Sequence, residues 1–352
     1  MTKHGLLIVN NTRSTMSMGR YTKLVQQVMH DSAKVVTITY SKDFPKEFVL
    51  GEEIKGWNWP LTSGWSFNRM FQNIVYKKKF LAMTENTLIH YVNPSVYPFR
   101  RDATNIVTIP DLVPFKPEFR DNSPTWFDRH YVNIYKHFEN ILCYTNYVKK
   151  DLINAGFDGR INAVPLPADL TFRPIKDKVE LRKKLGLPLN KKLILSVSLN
   201  IKRKNLGLVK DVISGLGEQY HLVRVGTGIG DSINFESVND ELLNQIYNAC
   251  DVLFFPSLEE GFGIPIVEAL TVGLPVVASN IEVMEEIAGD AAKLVEPDTS
   301  LSIRGIREVI DNRDEFAQKG FRRAEEYSFE KFNQRMRAYY GKIQADLGYS
   351  GV

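Results

Sequence analysis

Two glutamates lie eight residues apart in a glycine-containing stretch, residues 254–268, that reads FFPSLEEGFGIPIVE. Glu260 falls on a predicted loop, and Glu268 falls in the first turn of the helix predicted to follow. Gly261 and Gly263 let the backbone come close to a ligand, and a helix start offers N–H groups and partial positive charge. Both carboxylates could face one crevice at the carboxyl edge of a sheet, where open α/β folds bind ligands. The alternative is that Glu268 only complements the helix dipole and that the glycines only turn the chain.

Two adjacent cations, Arg203 and Lys204, follow a predicted strand at residues 194–198 and precede a predicted helix. Such a turn suits a diphosphate, because charge-assisted hydrogen bonds neutralise negative charge that grows on a leaving group. Lys202 stands in the same turn, so a solvated basic turn is the alternative. No protein nucleophile for covalent catalysis is evident.

The elements that would position these residues alternate between short apolar strands and helices. Strands are predicted at residues 5–10, 35–40, 87–91, 105–109, 140–144, 192–198, 221–225, 251–255 and 275–279, and helices at 19–29, 146–155, from 206 and at 329–345. Continuous apolar strands between helices favour parallel sheets covered on both faces. The segment from Pro165 to Asn190 is rich in proline and charge and is interpreted as a linker. The sequence therefore predicts two doubly wound α/β halves separated by a cleft, with residues 44–80 left unassigned.

Length and composition exclude several classes of protein. The chain has 352 residues, 43% hydrophobic and 24% charged, which allows two domains and excludes an extended disordered chain. No window approaches ~18 apolar residues, so no transmembrane helix is expected, and the apolar run at residues 6–9 is too short for a signal peptide. Cys143 and Cys250 give neither a disulfide framework nor a metal cluster, so buried thiols in a cytoplasmic protein are expected. His90 lies in a strand-like run and is expected to be a core residue.

Positive charge and tryptophan are concentrated in the first half of the chain. Residues 1–170 carry 21 basic and 15 acidic side chains and all four tryptophans, whereas the remainder carries 24 basic and 26 acidic side chains. Such a surface could meet an anionic membrane, an anionic substrate or nucleic acid, and a merely solvated surface is the alternative. A peripheral membrane contact is expected to involve Trp57, Trp59 and Lys77 to Lys79, and nucleic acid is not expected as a partner.

The segment from Glu260 to Ser279 contains EGFGIPIVE and then GLPVVAS. It strongly resembles the E-x7-E signature of retaining GT-B glycosyltransferases, in particular glycosyltransferase family 4 (glycosyl transferases group 1). Further stretches similar to this family are residues 17–21, 145–152, 197–205 and 247–257.

The resemblance implies two Rossmann-like domains that face a cleft. The first would comprise residues 1–170, with a carboxyl-terminal helix at about 329–352 packed back on it, and the second, residues 171–328, would bind the donor. The implied reaction moves a hexose from a UDP- or GDP-linked donor to a glycan, lipid-linked or small-molecule acceptor, with retained anomeric configuration. No cofactor is implied.

Site roles follow from the resemblance, residue by residue. Arg203 and Lys204 would act on the leaving diphosphate, and Glu260 would lie near the transferred sugar. Glu268 would accept hydrogen bonds from the ribose hydroxyls. The residues expected to bind the donor are Gly19, Asp111, Gly226, Gly261, Phe262, Gly263, Ile264 and Glu268. Among these, residues 261–264 would offer backbone N–H groups, Gly226 would border the base or only form a tight turn, and Asp111 could hold a sugar hydroxyl.

Two departures from the family pattern keep other functions open. Pro110 stands where the family usually has histidine, and Ser198-Leu199 stands where many members have Gly-Arg. A nucleotide-sugar epimerase and a catalytically silent sugar-nucleotide-binding subunit are the alternatives. A Rossmann oxidoreductase is disfavoured because the turn after the first strand lacks G-x-G-x-x-G.

Metal-dependent transferases usually offer an Asp-x-Asp pair, and this chain contains none. Transfer is therefore expected to need no divalent metal. The cations and a helix start would neutralise the diphosphate instead.

Overall fold

The computed structural model describes residues 6–10, 17–29, 33–39, 51–55, 87–92, 94, 104–119 and 133–348. The chain divides into two compact units. The first comprises Met1–Phe115, Asn122–Val164 and Asn333–Val352, and the second comprises Lys116–Asp121 and Pro165–Phe332. The division after Val164 lies six residues before the predicted boundary.

The first unit is built on a parallel sheet of seven strands in the order β3-β2-β1-β4-β5-β6-β7. The strands are β1 (Leu6–Asn10), β2 (Ala33–Thr39), β3 (Glu52–Lys55), β4 (Leu88–Tyr91), β5 (Asn105–Thr108), β6 (Asn140–Cys143) and β7 (Arg160–Ala163). Its helices include α1 (Ser17–Met29) and α2 (Asn146–Asn154). Helix α2 begins at Thr145, whose hydroxyl accepts a hydrogen bond from Val148 N at 3.1 Å, as an N-cap residue does.

The second unit contains a six-stranded parallel sheet in the order β10-β9-β8-β11-β12-β13. Its strands are β8 (Lys192–Val197), β9 (Tyr220–Val225), β10 (Ile233–Phe235), β11 (Val252–Phe255), β12 (Val276–Ser279) and β13 (Ala292–Val295). The helices that follow α2 are α3 (Lys178–Lys184), α4 (Leu206–Leu216), α5 (Asp240–Ala249), α6 (Ile264–Val272), α7 (Glu282–Ala288), α8 (Thr299–Asp311), α9 (Arg313–Ala324) and α10 (Phe329–Asp346). The prediction of two doubly wound parallel sheets is confirmed.

Five of the central strands are buried along their whole length. Every residue of β4, β5, β6, β11 and β12 is buried, because helices cover both faces of each sheet. That burial explains the continuous apolar runs by which the sequence indicated these strands.

All four strands that the sequence did not predict stand at the edges of the two sheets: β3, β7, β10 and β13. Edge strands have one neighbour and bury fewer side chains. Three of the four residues of β7 are only half-buried, and so are three of the four residues of β13. Their sequences therefore lack the apolar runs that mark central strands.

The interpretation of residues 165–190 as a linker is wrong. Helix α3 lies within this segment, and Asp177 caps it by accepting a hydrogen bond from Glu180 N at 2.9 Å. Arg182 is buried and donates to Asp251 at 2.6 Å, while Lys178 donates to the other carboxylate oxygen at 2.7 Å. The segment thus packs onto the start of β11 as part of the second unit.

Helix α10 starts in the second unit and ends in the first. Within the first unit, the hydroxyl of Tyr340 lies 2.7 Å from Nδ1 of His90 in β4, and Arg160 of β7 forms an ion pair with Asp346. The carboxyl-terminal helix therefore packs on the first unit, as predicted. Among the described residues, no helix combines the length and the apolar character that a membrane crossing requires.

Candidate functional site

Two loops of the second unit meet at the carboxyl edge of its sheet. Strands β8 and β11 are parallel neighbours, with Leu195 opposite Leu253, so the loops after them leave from the same edge. One loop carries the basic turn and the other carries the acidic stretch. Leu258 N donates a hydrogen bond to the carbonyl of Arg203 at 2.8 Å and joins the two loops directly.

Glu260 is held by both predicted cations. Arg203 Nη1 donates to Glu260 Oε2 at 2.6 Å, and Lys204 Nζ donates to Glu260 Oε1. The side chains of Glu260, Arg203 and Lys204 are 8%, 21% and 12% exposed, respectively. The structure thus brings together the three residues predicted to be catalytic, and two cations against one carboxylate leave the cluster with an excess of positive charge.

Local backbone structure directs the two cations toward the acidic loop. A single 3-10 turn, Lys202–Lys204, follows β8 and ends at Asn205 in the left-handed conformation, with φ of 52°. Lys204 Nζ also lies 4.9 Å from the centre of the Phe255 ring, within the range of a cation–π contact. Lys202, in contrast, is exposed.

The acidic loop ends at a glycine that starts helix α6. Gly263 has φ of 102°, a conformation that side chains disfavour, and Ile264 is the first helical residue. Phe262 is buried and its ring meets that of Tyr327 edge-on, with centroids 6.0 Å apart. The Phe262 side chain therefore anchors the loop, so the ligand contacts predicted for this residue would have to come from its backbone.

Glu268 is the fifth residue of α6, so it lies in the second helical turn and not in the predicted first turn. Glu268 is 3% exposed, and its carboxylate accepts a hydrogen bond from the hydroxyl of Tyr247 in α5 at 2.6 Å. The Tyr247 ring is in turn packed edge-on against Phe172, with centroids 5.5 Å apart. Burial and a phenolic donor fix the direction of this carboxylate.

Gly226 stands at the end of β9, where no larger residue fits. It has φ of 124°, and a Cβ atom there would lie 2.3 Å from the carbonyl oxygen of Ser198. Gly226 N also donates to Phe235 O at 3.0 Å. The glycine turn therefore packs tightly against the exit of β8, which leads to the basic turn.

Comparison with known proteins connects this geometry to a family. Residues 177–326 match the family model described as glycosyl transferases group 1, and this match contains the acidic loop, the basic turn and both glutamates. Residues 177–326 of the second unit are therefore similar to group 1 glycosyltransferases.

The curated relatives match this chain over limited lengths. The chain is 34% identical to O-antigen chain mannosyltransferase B of Escherichia coli over 115 residues, which are 32% of this chain and 30% of that protein. It is 35% identical to O-antigen chain mannosyltransferase RfbU of Salmonella typhimurium over 86 residues, which are 23% of this chain and 24% of that protein. The chain therefore spans less than a third of each of these relatives.

Solved structures are similar over nearly the whole chain. Sucrose-phosphate synthase from Thermosynechococcus elongatus aligns with 97% of this chain and 100% of its own, with a TM-score of 0.76 and 17% identity. Anabaena Alr3699/HepE, solved in complex with UDP and glucose, aligns with 96% of this chain and 99% of its own, with a TM-score of 0.76 and 15% identity. These likenesses support the GT-B fold predicted for this chain.

The first unit holds the two remaining predicted site residues. Gly19 is the third residue of α1 and is buried. Asp111 follows β5, and its Oδ1 accepts a hydrogen bond from Val113 N at 3.0 Å. The membrane-contact candidates Trp57, Trp59 and Lys77 to Lys79 lie outside the described residues.

His90 is a buried core residue, as predicted. Nδ1 lies 2.7 Å from the Tyr340 hydroxyl and Nε2 lies 2.7 Å from the Thr108 hydroxyl. Burial lowers the pKa of His90 to about 3. The ring is therefore neutral at physiological pH.

Sequence reasoning missed three residues that shape the site. Tyr247 orients Glu268, Lys116 pairs with Glu259 at 2.8 Å, and Arg224 lies beneath the glycine turn. Each of the three contacts a residue far away in sequence, so no local sequence pattern could have indicated its role. In the part of the chain that the structure describes, no three His, Cys, Asp or Glu side chains group in a way that could hold a metal ion.

Proposed function

We propose that this protein transfers a hexose from a nucleoside diphosphate sugar to an acceptor hydroxyl, with retained anomeric configuration. The observation that carries this proposal is the cluster of Arg203, Lys204 and Glu260 at the carboxyl edge of a domain similar to group 1 glycosyltransferases. Two half-covered cations beside a glycine-rich helix start suit a diphosphate better than any neutral ligand.

Mannose is the sugar that we propose for the donor. The relatives from Escherichia coli and Salmonella typhimurium are named as mannosyltransferases, and their matches support this choice. Alr3699/HepE was solved with UDP and glucose, which supports a nucleotide sugar as donor. A UDP or GDP base fits the proposal equally, so both belong in the assay.

The proposed chemistry is mostly positioning and charge stabilisation. The acceptor hydroxyl attacks the anomeric carbon from the face that the diphosphate leaves, the bond from that carbon to the diphosphate oxygen breaks, and this oxygen takes the proton. Arg203 and Lys204 stabilise the charge that grows on the leaving group, and Glu268 accepts hydrogen bonds from the ribose. Glu260 holds both cations in place and can accept a hydrogen bond from the sugar.

The proposed acceptor is a glycan or a lipid-linked sugar, met at an anionic membrane surface. The excess of basic residues in the first half supports a peripheral contact. Binding to vesicles containing anionic lipid is expected to weaken with salt and after replacement of Lys77, Lys78 and Lys79 by Ala. Absence of binding to such vesicles at low salt would contradict the membrane contact, but it would leave the proposed transfer reaction unaffected.

The central test follows release of nucleoside diphosphate from UDP- and GDP-linked hexoses, with and without sugar acceptors. NMR of the product reports its anomeric configuration. Lys204→Ala is expected to lower turnover by ~10²–10³-fold, as loss of one electrostatic stabiliser does. Lys202→Ala is the matched control, because Lys202 is exposed on the same turn, and it should keep near-normal turnover.

Three other results would each contradict the proposal in a different way. Loss of donor without acceptor, accompanied by a second sugar nucleotide, would indicate an epimerase. Tight nucleotide binding without any turnover would indicate a silent binding subunit. A Lys204→Ala variant with normal transfer would remove Lys204 from the mechanism.

A further inference from the structure

Arg224 is a fully buried arginine at the carboxyl end of β9. Its side chain is 0% exposed, although arginine is among the residues that proteins rarely bury. Within the described parts of the chain, no carboxylate pairs with it. Its hydrogen-bond partners belong to three residues and are neutral.

Those three residues lie in two different segments of the site. Arg224 Nη2 donates to the carbonyl of Ser198 at 2.8 Å, and Nη1 donates to the Ser198 hydroxyl at 3.0 Å. Nη1 also donates to the Ser196 hydroxyl at 3.1 Å, and Nε donates to the carbonyl of Thr227 at 3.2 Å. One guanidinium therefore ties the exit of β8 to the glycine turn after β9.

The position of this charge costs free energy that its neutral partners only partly offset. Burial removes the guanidinium from water and lowers the pKa of Arg224 from its usual range, yet an arginine stays protonated in proteins. Even buried ion pairs can often be replaced by well-packed apolar side chains of similar volume without loss of stability. The need for packing alone therefore does not explain an arginine at this point of the sheet.

The positive charge of Arg224 could stabilise an anionic ligand bound near the basic turn. The chain runs from Ser198 into the basic turn that holds Arg203 and Lys204. Those two cations share their charge with Glu260, whereas the charge of Arg224 meets only neutral groups among the described residues. In a poorly solvated interior such a charge acts over a longer distance than it does in water.

We propose that Arg224 is a positioning residue for the phosphates of the donor. It fixes the Ser198 exit against the glycine turn and adds a permanent positive charge beneath the diphosphate site. This inference rests on the proposed function, since it assumes a nucleoside diphosphate as the ligand. Arg224 is buried and acts through its neighbours and its field, not by contact with the donor.

Four variants separate the charge from the hydrogen bonds. Arg224→Met and Arg224→Gln remove the charge, and Gln keeps an amide donor in case the Met variant does not fold. Arg224→Lys keeps the charge and loses the fork of hydrogen bonds. Arg307→Met, at an exposed position on α8, is the matched control for loss of one cation from the surface.

The measurement is calorimetric binding of UDP and GDP compared with uridine and guanosine, together with the melting temperature of each variant. For the base that binds, we expect Arg224→Met and Arg224→Gln to weaken diphosphate binding about tenfold more than nucleoside binding. Arg224→Lys should melt lower but keep the ratio of the two affinities near that of the wild type. Arg307→Met should change neither quantity.

A purely structural arginine would give a different pattern. Both affinities would then fall together with the melting temperature, and an unchanged ratio in the neutral variants would overturn the role of Arg224. If the wild-type protein itself binds neither UDP nor GDP, the proposed function is contradicted, and so is this inference, which rests on it. The two failures are thus distinguished by the wild-type titration.

Discussion

Glu260 and Glu268 are the same residue type eight positions apart, yet the fold gives them different surroundings. Glu260 meets two cations, Arg203 and Lys204, on the neighbouring loop. Glu268 is buried in a helix and meets the hydroxyl of Tyr247. Glu260 is therefore suited to hold the two cations in place. Glu268, whose direction the phenol fixes, is suited to accept hydrogen bonds from hydroxyl groups of a ligand.

The role proposed for Glu268 predicts a loss of nucleotide affinity in Glu268→Ala. The expected cost is ~1–3 kcal/mol, the range for a charged hydrogen bond that is lost. Tyr247→Phe should cost less, because the carboxylate remains and only its orientation is relaxed. Calorimetric titration of UDP and GDP measures both effects, and unchanged affinity in a folded Glu268→Ala protein would exclude the ribose contact.

The lowered pKa of His90 predicts that the stability of the first unit depends on pH. The folded state keeps this histidine neutral, with a pKa of about 3, whereas in the unfolded chain it returns to the ordinary value near 6.5. Below about pH 6.5 the unfolded state therefore takes up a proton that the folded state refuses, and the fold is destabilised by up to ~1.4 kcal/mol per pH unit. This loss continues toward pH 3.

The corresponding experiment compares urea unfolding at pH 7.5 and pH 5.0. Wild-type protein should lose ~2 kcal/mol more between these values than His90→Gln, which lacks the titrating ring. His137→Gln, at an exposed position, is the control and should behave as the wild type does. Equal losses in wild-type protein and His90→Gln would show that His90 is charged in the folded state.

At the scale of elements, the loops after β8, β9 and β11 form the site because their strands are neighbours in one parallel sheet. The strands deliver their carboxyl ends to a common edge, and direct contacts then lock the loops together. Leu258 N bonds to Arg203 O across one junction, and the Ser198 carbonyl lies against Gly226 across the other. The geometry of the site is therefore a property of loop pairs and not of single loops.

Gly226→Ala is expected to strain the second junction. Its backbone has a positive φ, and a new Cβ atom would lie 2.3 Å from Ser198 O, which is backbone and cannot swing away. We expect a loss of ~1–3 kcal/mol in the free energy of unfolding, together with weaker nucleotide binding. Gly341→Ala, in the interior of α10 with no heavy atom near its Cβ position, should instead stabilise the protein by ~0.5–1 kcal/mol. Urea unfolding of both variants decides the comparison.

At the scale of the whole molecule, charge is distributed unevenly along the chain. The first half carries the excess of basic residues, whereas in the second half, where basic and acidic residues nearly balance, three consecutive cations stand at the basic turn. The diphosphate is proposed to be neutralised by Arg203, Lys204 and the helix start at Gly263. Transfer is therefore expected to proceed without a divalent metal.

This expectation is tested by assaying transfer after exhaustive treatment with EDTA and again after Mg²⁺ or Mn²⁺ is added back. Activity should be unchanged by EDTA. Complete loss with EDTA and full recovery with either metal would contradict the prediction. Carboxylates far apart in sequence would then have to coordinate the ion.

Local sequence patterns were enough to predict the central strands of both sheets, the parallel α/β class and the two loops that carry the site. These features are local. A central strand is a continuous apolar run because both of its faces are covered, and a loop that precedes a helix is marked by glycine and proline. Glu260, Arg203 and Lys204 could therefore be selected as a group before their contacts were known.

The partners of these residues, in contrast, follow from long-range contacts in the folded chain. Lys204 and Glu260 are 56 positions apart, Tyr247 and Glu268 are 21 apart, and Arg224 and Ser198 are 26 apart. Such pairs are set by the order of strands in a sheet, which no single stretch of sequence encodes. The same reason applies to the edge strands and to α3, whose short or polar sequences become ordered only against the sheet and the residues that they cover.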